Sequence, residues 1–154
     1  MRVTWEGRTL DLKTVWMEGP TVRMIDQRYL PQELRIYVAE SYKDVAAAIR
    51  EMVVRGAPAI GAAAAYGIAQ AVMLGVEPDE AADLLRATRP TGHDLFYAID
   101  LMLRAVGRGE DAVKAADAYA SLDEERCRRI GEFGVRLVKD GARILTHCNA
   151  GALA

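Results

Sequence analysis

The sequence predicts an α+β fold: a mainly helical domain that carries a small β arm, followed by the opening strand of a second, α/β domain. Three observations predict it. Strand-forming segments crowd into the first 40 or so residues. From Ser41 onward the apolar residues recur at helical spacing. The last dozen residues, Arg143 to Ala154, read as a short apolar strand, a thiol, a small-residue turn and the first residues of a helix. A strand ending in a reactive side chain beside a helix start is where open α/β domains place their chemistry.

Composition sets the class. Of the 154 residues 51% are apolar and 27% charged, the balance of an ordinary soluble globular chain with a real core. A net charge of −2 argues against a nucleic-acid surface built on bulk positive charge. No window approaches the roughly 20 apolar residues that a membrane crossing needs. The start, Met1-Arg2-Val3-Thr4-Trp5-Glu6, has no apolar signal core, which reads as a cytoplasmic protein. The two cysteines, Cys127 and Cys148, suit a reducing compartment and form no CxxC pair, and with only two His no structural zinc site is expected.

Taken in order, Val3-Thr4-Trp5, Leu10-Asp11-Leu12 and Val22-Arg23-Met24-Ile25 read as strands, divided by turns at Glu6-Gly7-Arg8 and Glu18-Gly19-Pro20. Pro31 breaks the chain, and Leu34 to Val38 is a further strand. Ser41 caps the first helix, with Asp44 favouring its first turn. Val45, Ile49, Met52 and Val53 share its inner face, and Gly56 is the expected stop. Pro58 then opens a helix to Leu74 made almost entirely of Ala, Ile, Val and Gly. Hydrophobic on all sides, it is expected to be buried. Gly75 closes it, and Pro78 opens a shorter helix ending near Thr88. Arg89-Pro90-Thr91-Gly92 is a break, Asp94 to Val106 a helix. Asp111 to Lys139 is helical in one piece or in two, divided at Ser121 or Gly131. Asp140-Gly141 turns the chain into the terminal strand.

Three places carry candidate chemistry. Arg55-Gly56-Ala57-Pro58-Ala59-Ile60-Gly61 joins a helix end to a helix start. Free N–H groups there, with a guanidinium beside them, make an anion site suited to phosphate. A plain helix–helix turn, with Arg55 capping the preceding helix, is the competing reading. Arg89 is a second loop arginine, either converging on the same anion or standing as a solvated helix-end cation. Cys148 is either a thiolate favoured by the helix N-terminus after Asn149-Ala150-Gly151, or a small buried hydrophobe at a strand end. Cys127, within a helix, reads as structural. His147 alternates to the face opposite Cys148 and reads as a hydrogen-bonded support. His93 reads as an exposed residue near a helix start.

Together, Arg55 to Gly61, Arg89-Pro90-Thr91 and Thr146-His147-Cys148-Asn149-Ala150-Gly151-Ala152-Leu153-Ala154 stand in an order and spacing that resembles the methylthioribose-1-phosphate isomerase family. Ile25-Asp26-Gln27, followed by Leu30-Pro31, is similar to that family's N-terminal signature. The family also holds ribose-1,5-bisphosphate isomerases and, more distantly, the noncatalytic regulatory subunits of initiation factor two-B. The resemblance implies a mostly helical N-terminal domain over residues 1–140 and the start of a Rossmann-like catalytic domain over 141–154. It implies a homodimer and an aldose–ketose isomerisation of 5-methylthioribose 1-phosphate in methionine salvage. The partner is then a small sugar phosphate, without nucleic acid, membrane, metal or organic cofactor. By motif, Cys148 matches the catalytic cysteine, and Arg55, Gly56, Ala57 and Arg89 match substrate-binding positions. The family's catalytic aspartate and an Asn-Lys pair lie beyond Ala154, so the chain is expected to be a fragment, inactive alone. Gly92-His93-Asp94-Leu95 departs from the Ala-Val-Asn-Leu of many members, which leaves the C5 substituent open: methylthio, deoxy or phosphate.

Overall fold

A computed structural model describes residues 1–5 and 7–154, and among these the fold is α+β, with five short strands and five α-helices. Strands β1 (Arg2–Trp5) and β2 (Arg8–Asp11) form an antiparallel hairpin in which Val3 faces Leu10. Of the turn expected at Glu6-Gly7-Arg8, Glu6 lies outside the described residues. Strands β3 (Val15–Glu18), β4 (Thr21–Ile25) and β5 (Ile36–Ala39) make a separate antiparallel sheet in that order. The expected turn at Gly19-Pro20 forms, with Glu18 opposite Thr21. Strand β4 alternates as a half-buried strand does: Val22 and Met24 are buried, Thr21 and Arg23 partly exposed. Strand β3 was not expected. Val15-Trp16-Met17-Glu18 has no clear alternation, and its pairing with β4 makes it a strand.

Helix α1 (Tyr42–Arg50) starts as its cap predicts. The Ser41 and Asp44 side chains each accept from the other's backbone N–H. Its end corrects the sequence reading. The helix stops at Arg50, and Met52 takes φ 60°. The Met52 N–H donates to Ile49 O and the Val53 N–H to Ala48 O (2.9 Å), a left-handed helix stop with methionine in the usual glycine position. Met52 therefore leaves the inner face and is exposed, while Val53 is buried.

Helix α2 (Ala57–Met73) is the centre of the molecule. As its composition predicts, it is buried on all sides from Ala59 to Ala71, where only Ala62 is partly exposed. It packs against α1, α3 (Pro78–Arg86), α4 (His93–Gly107), α5 (Ala112–Gly134) and strands β3 and β4. Small residues permit this. A Cβ at Gly67 would already stand 3.2 Å from both Leu85 Cδ1 and Val45 Cγ1, so α1 and α3 close on α2 at its backbone. Buried Gln70 ties α2 to the sheet, its Nε2 donating to Pro20 O (2.7 Å) and Ala39 O (2.9 Å). No helix of the described residues is long and apolar enough to cross a membrane.

Helix α5 is continuous, without a break at Ser121 or Gly131. Both positions are exposed, so Gly131 has only its propensity cost to bear. Ala112, Ala116 and Tyr119 pack inward; beyond Ser121 the helix is largely exposed, including Ile130 and Phe133. A 3-10 turn (Val135–Leu137) follows, and the chain turns at Asp140-Gly141 as expected. The terminal strand does not form. Residues 142–147 have no regular structure, and Ile144 and Leu145 are exposed. A strand is held by its ladder and its buried face, and no described strand lies beside this stretch.

Candidate functional site

The site is built where residues 149–154 fold back on the N-terminus of α2. The helix expected after Cys148 is instead a turn, with Gly151 at φ 89° and the Ala154 N–H on Gly151 O at 3.0 Å. Three carbonyl groups of that turn are captured in succession. Thr14 Oγ1 donates to Ala152 O (2.7 Å), Gln27 Nε2 to Leu153 O (2.8 Å) and the Ala59 N–H to Ala154 O (2.6 Å). The last bond uses one of the helix's unpaired first-turn donors, at the positive end of its dipole. Pro58 has no N–H to offer, so Ala59 presents the donor.

Gly56 makes the approach possible. It is the N-cap of α2, buried, with φ 98°. A Cβ there would fall 2.6 Å from Ala154 O and 2.7 Å from Ala154 Cβ. It is the cap of the second helix, not the stop of the first. Ala57 is the first helical residue and is exposed. Arg55 is half-buried; its Nη2 donates to Gln27 O at 2.7 Å, so it does not cap α1. Its Nε is buried and has no partner among the described residues. The loop therefore offers a backbone donor and an incompletely used guanidinium to an oxygen, the requirement of an anion site.

Gln27, 3% exposed, holds these parts together. Its N–H donates to Val53 O (2.9 Å), its carbonyl accepts from Arg55, and its Nε2 lies 3.4 Å from Arg55 O as well as on Leu153 O. The neighbouring Asp26, also buried, is gripped by the Arg28 Nε (2.9 Å) and Nη2 (2.8 Å), and Arg28 reaches on to Glu51 at the end of α1 (2.9 Å). The Arg28 hydrogen bond holds the Asp26 carboxyl below its ordinary range against the opposing effect of burial. The end of β4 is thus fixed to the end of α1 immediately before the Arg55 loop.

Beside the turn opens a cavity of about 580 Å³, lined among others by Thr14, Pro58, Ala59, Asp123, Cys127 and Asn149. Burial, then the Asp94 carboxylate, push the Asp123 carboxyl above its ordinary range. Cys127 is exposed rather than structural, with Sγ 4.0 Å from Asp123 Oδ2; partial desolvation of the thiol, then that carboxylate, push its pKa up.

Of the residues singled out in the sequence, Arg55, Gly56 and Ala57 come together with the terminal turn. Arg89 is half-buried in the break between α3 and α4, and no hydrogen bond joins it to the Arg55 loop among the described residues. Cys148 is exposed at φ 65°, so it is not a buried hydrophobe, and the helix whose N-terminus it was expected to face is a turn. His147 is exposed and makes no hydrogen bond among the described residues, against its reading as a support. His93 is exposed at the start of α4, as expected, and stacks on Tyr97. Sequence reasoning missed Thr14 and Asp123, and took Gln27 only as part of a signature. Its one local signal was a polar pair, Asp26-Gln27, closing an apolar strand.

Comparison with known proteins shows the family. The profile described as "Initiation factor 2 subunit family" matches residues 53–154. A protein of Methanocaldococcus jannaschii named putative methylthioribose-1-phosphate isomerase is 49% identical over 131 residues, covering 85% of this chain and 40% of its own length. The crystal structure of 5-methylthioribose 1-phosphate isomerase from Pyrococcus horikoshii OT3 superposes with a TM-score of 0.80 at 35% identity. That match covers 92% of this chain and 44% of that one. The structure of translation initiation factor eIF-2B, subunit delta, from A. fulgidus superposes at 0.70 with 36% identity, covering 93% of this chain and 46% of that one. The chain thus spans less than half the length of each of these relatives.

Proposed function

We propose, from the premise that this chain belongs to the initiation factor 2 subunit family, that it is the N-terminal part of an aldose–ketose isomerase. Its substrate is 5-methylthioribose 1-phosphate and its product 5-methylthioribulose 1-phosphate, a reaction of methionine salvage. One observation carries the reading: an oxygen sits 2.6 Å from the Ala59 N–H over Gly56, beside Arg55, on the turn that follows Cys148. The start of α2 and the Arg55 guanidinium, whose Nε has no partner among the described residues, are donors suited to a phosphate oxygen, and the Cys148 thiol stands six residues before Ala154. The names and 35–49% identities of the isomerase relatives support the same reading.

In this reading Arg55, the backbone of Gly56 and Ala57, and Arg89 take the phosphate and sugar oxygens. The anomeric oxygen carries the phosphate, so opening the ring breaks the C1–ring oxygen bond without giving a free aldehyde. The ring oxygen gains a proton, C2 and its hydroxyl each lose one, and C1 gains one, leaving a C2 ketone. Cys148, as the base, takes the C2 proton and returns it to C1. Residues 1–140 are then the helical domain and 141–154 the opening of a Rossmann-like domain, whose remaining strands would pair the stretch before Cys148. We place the protein in the cytoplasm as a homodimer. The test is turnover by the full-length protein of 5-methylthioribose 1-phosphate, ribose 1,5-bisphosphate and 5-deoxyribose 1-phosphate. The reading expects the first to have the highest kcat/KM; turnover of none of them would overturn it. The similarity to the eIF-2B delta subunit favours one other reading, a noncatalytic regulatory subunit, and the absence of turnover would favour that.

A further inference from the structure

We infer that Gln27 is a positioning residue for the proposed site, setting the separation between the anion-binding start of α2 and the turn that carries Cys148. The inference rests on the isomerase reading for its kinetic consequence and on geometry for its cause. Arg55 and Leu153 belong to segments about a hundred residues apart, and the Gln27 amide donates to both carbonyl oxygens, at 3.4 and 2.8 Å. The same residue's carbonyl receives Arg55 Nη2 at 2.7 Å, so one buried side chain and its own backbone fix both the arginine and the turn. The base of this bridge does not drift. The Gln27 N–H is on Val53 O, and Asp26 is clamped by Arg28, which is tied to Glu51. Besides Gln27, the turn is held by Ala59 at α2 and by Thr14 ahead of β3. Without the amide the turn keeps its sequence and its cysteine but loses its fixed distance from the phosphate position. Binding of the phosphate, which uses Arg55 and the helix end, survives; alignment of the thiol with the sugar carbon does not. A misplacement near 1 Å costs a reaction up to about 100-fold.

The experiment uses the full-length protein and Gln27→Met, which fills a similar volume without a donor. Two quantities are read: kcat and KM for 5-methylthioribose 1-phosphate, and amide hydrogen exchange over residues 149–154. The expected result is a kcat lower by about 10- to 100-fold, KM changed less than about threefold, and faster exchange across the turn. A purely structural role would instead lower the active fraction and the unfolding temperature while leaving kcat per folded molecule and the local exchange unchanged, and that result would overturn the inference. If Gln27→Met does not fold, Thr14→Val decides, since it removes the neighbouring bond to Ala152 O from a half-buried site. The same pattern with a smaller loss of kcat supports the inference, and wild-type kinetics and exchange overturn it. Failure of the wild-type protein to turn over the substrate sinks the isomerase reading and the kinetic claim with it. The exchange measurement still tells separately whether Gln27 holds the turn.

Discussion

Replacing Gly56 by alanine perturbs the site by a single methyl group, and the structure gives the size of the effect. At φ 98° and ψ 134° the backbone is in a region where a non-glycine residue costs about 1–3 kcal/mol. The methyl group would also stand 2.6 Å from the Ala154 carbonyl oxygen. That neighbour is backbone, so no side chain can rotate away, and the 152–154 turn must lift. Lifting releases the bonds from Thr14, Gln27 and Ala59, each worth about 0.5–1.5 kcal/mol net. The expected destabilisation of the docked arrangement is about 2.5–7.5 kcal/mol. Gly75→Ala is the control: its φ of 72° is also positive, but a Cβ there meets nothing within 4 Å, so it is expected to cost about 1 kcal/mol. Urea unfolding of the two full-length variants, followed by circular dichroism, gives the comparison. A Gly56→Ala midpoint clearly below that of Gly75→Ala is expected. Equal midpoints would refute the reasoning, because the space above Gly56 would then hold no backbone oxygen.

Two further outcomes follow from buried polar groups. Gln70→Met removes the donor to Pro20 O and Ala39 O and is expected to cost about 1–3 kcal/mol in unfolding free energy; the loss is moderated because Gln70 Oε1 is itself buried without a partner among the described residues. For Asp26, pairing with Arg28 holds the folded carboxyl below its ordinary 3.8, so its contribution is present above about pH 4 and is lost as pH falls through the lower, folded value. The stability gap between wild type and Asp26→Asn, measured by denaturant titration, is therefore expected to be open at about pH 7 and to narrow at about pH 3; a gap constant across that range would contradict the ion-pair assignment.

The helical core was legible because its signals are local. Ser41 with Asp44 marks one start, Pro58 and Gly75 bracket α2, and an all-apolar helix has nowhere to go but the centre. What was misread depends on partners or on rare conformations. Methionine at a left-handed helix stop is unusual, so Met52 carried no stop signal and Gly56 was given the role. Strand β3 exists through its pairing with β4, whereas the apolar stretch from Ile144 has strand composition and no neighbour. The Arg55 loop could be read as a candidate anion site from Gly-Ala-Pro. The Gln27 latch could not, because a glutamine's backbone partners 28 and 126 residues away leave no mark in its own surroundings.

Whether the α2 N-terminus and the Cys148 turn form one catalytic site is tested most directly by the kinetics of full-length Cys148→Ser on 5-methylthioribose 1-phosphate. A fall in kcat of about 10²–10⁴-fold, with substrate binding by calorimetry near the wild-type value, is the expected result. Turnover at the wild-type rate would contradict it and leave the Arg55–Gly56 loop as an anion site without this chemistry.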